Sequence, residues 1–488
     1  MTGSRSITAL GWSSIDVAGR QGIQFVVTLI LARLLSPAEF GLLAMLSLFI
    51  ALATSVVDSG FGSALIQRRQ ITEADKSSVF LFNAAMGALV ALSIFSAAPL
   101  IARFYRQPIL LPLTRLMALN LFIGSFGVVQ VALLTRDLDF RTPCKTGIIA
   151  MIASGATAVW MAWSGYGVWS LAVQSVIYTS VSTGLIWVFC PWTPSLRLRI
   201  QSLRSLFGFG SRLLASGLLG TFFDRIQLTV IGKAFSAVDL GYYTRAYSTE
   251  QFPAALMSAV VSRVTFPVFA QRSHDPQAFK LCVRRAVISL MIPMLPMMVG
   301  LAVLARPLVL VLFGEKWLPC VRYLQALSVV GAFWPLHIIN LNVLTALGRS
   351  DLFLRLEVVK RILTGLGLLV TFRVSVMAVV WAVLIVSVIC VFVNTYYTKS
   401  LIGYGLLSQL RDLAPYFGIS VFTGATAWVV GLALPNSPAL YVGSAALIGA
   451  VLYCTLCWVL RLEEYRSTLA SGLAVFHLVF RPRHNLVP

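Results

Sequence analysis

Charged residues are scarce in this sequence: they make up 11% of its 488 residues, against about 25% in an ordinary soluble protein. Hydrophobic residues make up 58% and occur in long runs, and crossing a bilayer takes roughly 20 helical residues. This composition excludes an ordinary soluble globular protein. The number and apolarity of the runs predict an all-α polytopic membrane protein rather than a β-barrel, whose strands would be ~10 residues long and alternating.

Catalytic and metal-binding patterns are also lacking. The four histidines are far apart in sequence, and no Walker A, HExxH or G-x-S-x-G motif occurs. The seven cysteines are scattered; Cys454 and Cys457 form a C-x-x-C inside an apolar segment, where small apolar filler is the favoured interpretation. We therefore expect no enzymatic activity, no metal site and no cofactor.

Acidic residues are few as well: the sequence has 17 Asp and Glu residues against 38 Lys and Arg residues, which gives a formal net charge of +21. A nucleic-acid partner is not expected, because no basic stripe alternates with aromatic residues. Most basic residues lie in every second loop, which is the positive-inside pattern of cytoplasmic loops. The pattern predicts that both termini are cytoplasmic.

The apolar runs give about 14 candidate transmembrane helices, an even number that agrees with this orientation. The predicted spans are 11–35, 40–66, 77–101, 109–134, 145–163, 167–190, 206–232, 246–270, 285–305, 321–346, 353–372, 375–398, 413–433 and 438–460.

The chain repeats itself at an offset of 200 residues. Ser36–Gly41 and Ser236–Gly241 share the pattern S-x-x-[ED]-[FL]-G, and each follows a basic residue, Arg33 or Lys233. Spans 1–6 and 7–12 are therefore predicted to be two six-helix lobes in a pseudo-twofold repeat whose axis lies along the membrane normal. The predicted divisions are an N-terminal lobe (1–190), a cytoplasmic linker (191–205), a C-terminal lobe (206–400), and two extra C-terminal helices with a cytoplasmic tail (401–488).

The repeated motif has a mechanical interpretation. Its serine is expected to start a turn or cap the next helix, with the acidic residue near the positive helix N-terminus. Its glycine lets the backbone turn or pack closely. The motif alone names no substrate.

Ionisable residues inside the predicted spans are the candidates for function, because intramembrane charges usually face the bundle interior and mark transport paths or ion pairs. They concentrate on spans 1, 2, 7 and 8, which are mates under the repeat, as a cleft between two lobes would require. The candidate substrate-binding residues are Arg20, Arg212, Arg225 and Arg263, and the candidates for ion coupling or ion pairing are Asp16, Asp58, Asp224 and Glu250.

Arg20 and Arg225 are the strongest candidates because they lie deepest in their spans. An arginine is always charged, and its planar fork can bond two oxygens of one phosphate. Structural alternatives stay open. Asp16 and Arg20, at i and i+4, can neutralise each other. Asp58 can cap a helix or pair locally. Arg115, Arg212 and Arg263 lie near predicted span ends and can extend to the headgroups.

Six segments together resemble the polysaccharide-transporter branch of the multidrug/oligosaccharidyl-lipid/polysaccharide exporter superfamily, the bacterial lipid-linked oligosaccharide flippases. Within that branch they are most similar to the colanic-acid and succinoglycan exporters. The segments are Leu31–Gly41, Asp58–Gly62 with Ala64–Arg68, Leu138–Phe140, Gly165–Ser170, Leu240–Tyr243 with Arg245 and Ala246, and Gly314–Trp317.

The resemblance implies two lobes around a central cationic cavity that works by alternating access. It implies an undecaprenyl-diphosphate-linked oligosaccharide as cargo, moved from the cytoplasmic to the periplasmic leaflet of the bacterial inner membrane, with an ion or proton gradient as the driver. Membrane lipids, a polysaccharide polymerase and a co-polymerase are the other implied partners. In related flippases, arginines on the first and seventh helices face the diphosphate, and Arg20 and Arg225 fit those positions by placement.

The sequence therefore favours a flippase that serves exopolysaccharide or lipopolysaccharide synthesis. Two alternatives stay open. A cation-coupled drug antiporter of the same superfamily is disfavoured by a cationic cavity. A non-transporting scaffold or a polymerase of the same pathway is disfavoured by the short loops, which leave no room for clustered catalytic groups.

Overall fold

A computed structural model of the chain describes residues 19–462 apart from positions 59, 69, 191, 196–198, 261–268, 270–271, 273 and 434–436, together with residues 464 and 465. These residues are almost entirely helical, and no strand occurs among them. The chain divides into two compact units, unit 1 (Met1–Thr244) and unit 2 (Arg245–Pro488).

Unit 1 is built from helices in close sequence. They are α1 (19–34), α2 (Pro37–Met45), α3 (Ser47–Asp58), α4 (Phe61–Gln67), α5 (Glu73–Tyr105), α6 (Leu110–Ser125), α7 (Val128–Arg136), α8 (Arg141–Trp163), α9 (Val168–Phe189), α10 (Ile200–Ala234) and the first part of α11 (Ala237–Val260).

Unit 2 continues from the rest of α11. Its helices are α12 (Pro276–Val303), α13 (Ala305–Leu312), a 3₁₀ helix (Glu315–Cys320), α14 (Val321–Ala332), α15 (Trp334–Ala346), α16 (Ser350–Thr371), α17 (Val376–Ile402), α18 (Leu406–Ala433) and α19 (Pro438–Val459).

Among the described residues, nine helical segments are long and apolar enough to cross a membrane, and the pair α6 and α7, bent by 40°, makes up to ten. Described helices also lie within the other four predicted spans. Helices α10 and α16 cover spans 206–232 and 353–372, and α1 and α11 cover the described parts of spans 11–35 and 246–270 up to Val260. The class of all-α polytopic membrane protein is confirmed, and the count of 14 spans stays a prediction.

Both copies of the repeated motif begin helices, as predicted. The Ser36 backbone N–H and hydroxyl donate to the Glu39 carboxylate at 2.6 Å and 2.9 Å at the start of α2. The Ser236 hydroxyl donates to Asp239 Oδ2 at 2.7 Å and accepts from the Asp239 N–H at 3.1 Å. Both acidic side chains lie in a first helical turn, where the helix dipole favours negative charge. The mechanical interpretation of the motif is confirmed.

The two motif glycines bring α2 and α11 into backbone contact. A Cβ at Gly41 would lie 1.7 Å from the carbonyl oxygen of Ala237, and a Cβ at Gly241 would lie 1.9 Å from that of Pro37. The contact is reciprocal, since each helix presents its glycine to the first turn of the other. Only a residue without a side chain fits at either position.

A second close backbone approach holds the first half of α10 against the α3–α4 connection. Gly60, between α3 and α4, has a φ of +69°, and a Cβ there would lie 2.6 Å from the carbonyl oxygen of Gly210. Further along α10, the hydroxyl of Thr221 lies 3.2 Å from that of Ser55 on α3. Helix α10 therefore packs along α3 and α5 inside unit 1.

The described part of the linker is attached to the start of α5. The Ser195 backbone N–H donates to the Ser77 hydroxyl at 3.0 Å, and the Arg199 N–H donates to the Ser78 hydroxyl at 2.8 Å. Helix α10 begins directly afterwards at Ile200, within the predicted linker. Because α10 packs on first-half helices, unit 1 ends at Thr244, beyond the predicted lobe start at 206; the division into two six-helix lobes stays a prediction.

Unit 2 is organised around α12, which contacts α14, α15 and α18. The core there joins Val287 and Met291 of α12 to Ile339 of α15 and Tyr416 of α18. Large apolar side chains on the outer faces of α16 and α17 are exposed, as a lipid-facing surface requires; they include Leu354, Ile362, Leu369, Ile385 and Phe392.

We predict that Gly41→Leu removes most of the folded protein. The added side chain would overlap the Ala237 carbonyl, and overpacking of this kind costs on the order of 3 kcal/mol or more. Thermal unfolding of the detergent-solubilised protein measures the effect. Gly22→Leu is the matched control, because nothing lies within 4 Å of a Cβ at Gly22. Equal stability of the two variants would contradict the assigned contact.

Candidate functional site

Arg20 lies against α8 and α9 within unit 1. Its side chain is half-buried, and Nη1 lies 3.5 Å from the hydroxyl oxygen of Tyr178 on α9. A Cβ at Gly147 on α8 would lie 3.2 Å from the same nitrogen. The bare backbone at Gly147 therefore makes room for the guanidinium, which keeps the charge among helices rather than in hydrocarbon.

Arg225 and Asp224 lie next to each other on α10, and both are exposed. The nearby helical turn is fixed by the Gln227 amide, which donates to the Tyr243 hydroxyl at 2.7 Å. The ion pairs found among the described residues include none with Arg225. The contacts described for Arg20 and Arg225 differ, so a cleft shared by the two arginines stays a prediction.

Three other predicted residues cannot be placed fully. Asp16 and Arg263 lie outside the described residues, and so does the i,i+4 pair of Asp16 with Arg20. Arg212 falls on α10, but its side chain lies outside what the structure describes. Their roles stay predictions.

Asp58 is the last residue of α3, and its side chain is exposed to a cavity of about 340 Å³. We name it the α3–α4 cavity. It lies within unit 1, where the ends of α3 and α4 face α7 and α10. Its described lining consists of Ser55, Asp58, Gly60, Gly62, Ser63, Ile66, Val128, Val131, Ala132, Thr135, Leu214 and Gly217.

Glu250 is buried in unit 2, with 2% of its surface exposed. The Gln251 amide donates to its Oε2 at 3.0 Å. A Cβ at Gly331 on α14 would lie 2.3 Å from its Oε1 and 2.9 Å from the sulfur of Met298 on α12. The carboxyl group therefore lies on the bare backbone of α14 beside a methionine, in largely apolar surroundings.

Arg245 is a buried charge that the sequence pattern did not single out, since it lies just before the predicted span 246–270. It is 6% exposed, and its guanidinium carbon lies 5.1 Å from the ring centre of Phe313 and 5.2 Å from that of Trp317. Gly314, with a φ of +92°, turns the chain so that both rings reach the same arginine. The cluster thus joins the resemblance segment that contains Arg245 to the segment Gly314–Trp317. The presence of both segments in one sequence was the signal that could have revealed the cluster.

Polar residues also join the helices of unit 2. His337 on α15 lies 3.0 Å from the Ser387 hydroxyl and 3.2 Å from the Asn394 amide nitrogen, both on α17. The amides of Asn340 and Gln409 pair at 3.0 Å and 3.2 Å. These contacts satisfy buried polar groups between helices.

Replacing Arg245 with alanine should destabilise unit 2. A desolvated cation–π contact contributes about 2 kcal/mol, and the cluster holds two of them. We expect a lower midpoint of thermal unfolding for Arg245→Ala and partial retention for Arg245→Lys, which keeps the charge but not the planar group. Arg306→Ala, at an exposed arginine of the same unit, is the control. A fall of the same size in the control would contradict the assignment.

Known polysaccharide-biosynthesis proteins resemble this chain in sequence. The chain is 28% identical over 424 residues to the teichuronic acid biosynthesis protein TuaB of Bacillus subtilis (strain 168), covering 86% of this chain and 88% of TuaB. It is 29% identical over 308 residues to the succinoglycan biosynthesis transport protein ExoT of Rhizobium meliloti (strain 1021). That alignment covers 63% of this chain and 62% of ExoT, less than two thirds of the latter.

The fold matches a solved transporter structure. The lipid II flippase MurJ, in an inward closed conformation, aligns with a TM-score of 0.76 and 14% identity over 93% of this chain and 99% of that chain. At this level of identity the likeness shows a shared fold. It agrees with the all-helical, membrane-spanning architecture.

The sequence profile of the family described as polysaccharide biosynthesis protein matches residues 30–322. The matched region contains both copies of the repeated motif, the α3–α4 cavity and the Arg245 cluster. The match covers more than half of the chain and agrees with the relatives found by sequence. The chain is therefore a multi-pass membrane protein of a transporter fold and belongs to the polysaccharide biosynthesis protein family.

Proposed function

We propose that this protein is a flippase that moves undecaprenyl-diphosphate-linked oligosaccharide units from the cytoplasmic to the periplasmic leaflet of the bacterial inner membrane, for exopolysaccharide or lipopolysaccharide synthesis. The observation that carries the proposal is Arg20, an arginine held half-buried on a glycine backbone inside a membrane-spanning unit. Family membership and the printed names of ExoT, a transport protein, and MurJ, a lipid II flippase, support it.

The chemistry of the cargo explains the need for arginine. A diphosphate cannot cross hydrocarbon without a compensating cation, and an intramembrane arginine stays charged at any physiological pH. Arg20 and Arg225 would bind the diphosphate through paired N–H···O bonds. Arg212 and Arg263 would extend the cationic path. In this scheme the protein forms no covalent bond with its cargo and acts as a transporter rather than an enzyme.

The orientation follows from the charge bias of the loops. Both termini would be cytoplasmic, and the cargo would enter from the cytoplasmic leaflet and leave on the periplasmic side by alternating access. A polysaccharide polymerase with its co-polymerase would then receive the unit.

Alanine at Arg20 or Arg225 should reduce delivery of the lipid-linked unit to the periplasmic leaflet by at least about tenfold, since each substitution removes a charge-assisted contact to the diphosphate. Delivery is measured in intact cells at matched protein level. Arg103→Ala, which removes an exposed arginine of unit 1, is the control. Unchanged delivery in both single variants would remove the basis for arginine-mediated recognition.

Coupling to an ion or proton gradient would use a carboxyl group, and Asp16, Asp58, Asp224 and Glu250 are the candidates. Glu250 has the best-supported position. Its described neighbours include Gln251 on its own helix, Met298 on α12 and Gly331 on α14, and these three are uncharged. An ionised carboxylate in such surroundings is costly, so this group suits a cycle between proton-bound and proton-free forms.

Glu250→Gln should slow transport and remove its dependence on pH, because glutamine mimics the proton-bound form permanently. Transport into proteoliposomes at several pH values measures this. Glu315→Gln, at an exposed residue of the same unit, should keep the wild-type pH profile. A wild-type profile in the Glu250 variant would assign that residue a structural role only.

A further inference from the structure

The α3–α4 cavity is not explained by diphosphate binding. Its described lining contains one ionisable residue, Asp58, and no Lys, Arg or His. Among these described lining residues, an anionic group would face a carboxylate and no cation. The cavity therefore suits a different part of the cargo or a different ligand. Its volume of about 340 Å³ falls within the range of roughly 300–1,000 Å³ that small-molecule sites occupy.

Two hydroxyls and the carboxylate of the cavity can act as acceptors toward a ligand. The Ser55 hydroxyl donates its proton to the Ala51 carbonyl at 3.0 Å, and the Thr135 hydroxyl donates to the Val131 carbonyl at 2.8 Å. The Thr135 oxygen keeps two lone pairs that can accept, and the Ser55 oxygen keeps one beside the Thr221 hydroxyl, which lies 3.2 Å away. An ionised Asp58 is an acceptor only. A ligand that fits must be rich in hydrogen-bond donors, which describes a polyhydroxyl ring or an ammonium group.

The remaining walls distinguish between these two ligands. The described lining has no aromatic residue, so it lacks the ring faces that bind an organic cation. Aliphatic side chains cover the wall instead, from Ile66 of α4, Val128 and Val131 of α7 and Leu214 of α10. A sugar ring presents hydroxyl donors at its edge and C–H groups on its faces, and it matches both kinds of wall.

We propose that the α3–α4 cavity binds a sugar ring of the oligosaccharide, with Asp58, Ser55 and Thr135 accepting hydrogen bonds from the ring hydroxyls. This inference rests on the proposed flippase function and deepens it. The arginines take the diphosphate end of the cargo, and the cavity takes the saccharide end. Asp58 thereby has a role in recognition that differs from ion coupling.

Two glycines offer a clean way to test the cavity. Gly217 lines it, and nothing lies within 4 Å of a Cβ at that position. Gly217→Leu therefore fills the cavity without forcing the backbone apart, and leucine is a better helix former than glycine. Gly184 on α9 is also exposed, also free of neighbours within 4 Å, and not part of the cavity. Gly184→Leu is the matched control.

We expect Gly217→Leu to reduce delivery of the lipid-linked unit at least tenfold and Gly184→Leu to change it less than twofold. Asp58→Asn should reduce delivery about tenfold, because it replaces charge-assisted hydrogen bonds by neutral ones. The pH profile of the residual transport in Asp58→Asn should match the wild type. Wild-type delivery in Gly217→Leu, with the protein present at normal level, would overturn the proposal.

A binding measurement separates the two ends of the cargo. Ser63→Cys places a thiol in the cavity of the purified full-length protein, and Cys454→Ala removes the exposed cysteine found among the described residues. The probes are the lipid-linked repeat unit that accumulates in cells lacking this protein, bare undecaprenyl diphosphate, and tetraphenylphosphonium. Of the three probes, only the lipid-linked repeat unit should slow maleimide labelling of the cavity thiol, by at least fivefold.

The other outcomes contradict the proposal. Equal protection by bare undecaprenyl diphosphate would assign the cavity to the diphosphate, and protection by tetraphenylphosphonium would assign it to organic cations. No protection by any probe would leave the cavity outside the binding site. If the wild-type protein moves no lipid-linked unit in proteoliposomes, the proposed function itself fails. If it does move the unit while Gly217→Leu matches it, the sugar site alone fails.

Discussion

The packing of unit 1 depends on the point where α2 and α11 touch through their backbones. Gly41 and Gly241 each face the first turn of the other helix. A single methyl group on either glycine would push the two helices apart and break the contact. The crossing sets the direction of α10, which ends immediately before it, and Gly232 of α10 then packs against Met45 and Tyr105. Because α10 is held along α3, its residues Leu214 and Gly217 close the α3–α4 cavity. The position of a candidate binding site thus follows from two glycines far from it.

The ionisable residues in the spans are accommodated in distinct ways. Arg20 and Glu250, of opposite charge and in different units, each lie over a glycine of a neighbouring helix, Gly147 and Gly331. A missing side chain gives room for the large polar group, and it brings the group close to peptide dipoles, which lower the cost of leaving water. Arg245 is accommodated by aromatic faces instead. The first arrangement suits a group that must exchange partners during transport, and the second suits a group that stays in place.

The sequence predicted the helical membrane class, the family resemblance and the helix-starting role of the repeated motif, because each depends only on local composition or on a short sequence pattern. Asp58 and Glu250 were identified as intramembrane charges for the same reason. The burial of Arg245 was not predicted, since it depends on rings about 70 residues away along the chain. The cavity beside Asp58 was not predicted either, because its lining comes from four helices and includes three glycines, which leave no signal in a hydropathy pattern. The partners of Gly41 and Gly241 required the three-dimensional fold.

The attachment of the linker to α5 has a mechanical consequence. Trp192, Ser195 and Arg199 are bonded to the first turns of α5, and the far end of α10 is fixed by the crossing of α2 with α11. A helix clamped at both ends cannot pivot at its termini. Any displacement of α10 must be taken up as curvature along its length, where Gly208, Gly210, Gly217 and Gly220 lower helix propensity by about 1 kcal/mol each relative to alanine. The helix is therefore expected to bend between two held ends, and the bending is easiest at the glycines beside the candidate sugar site.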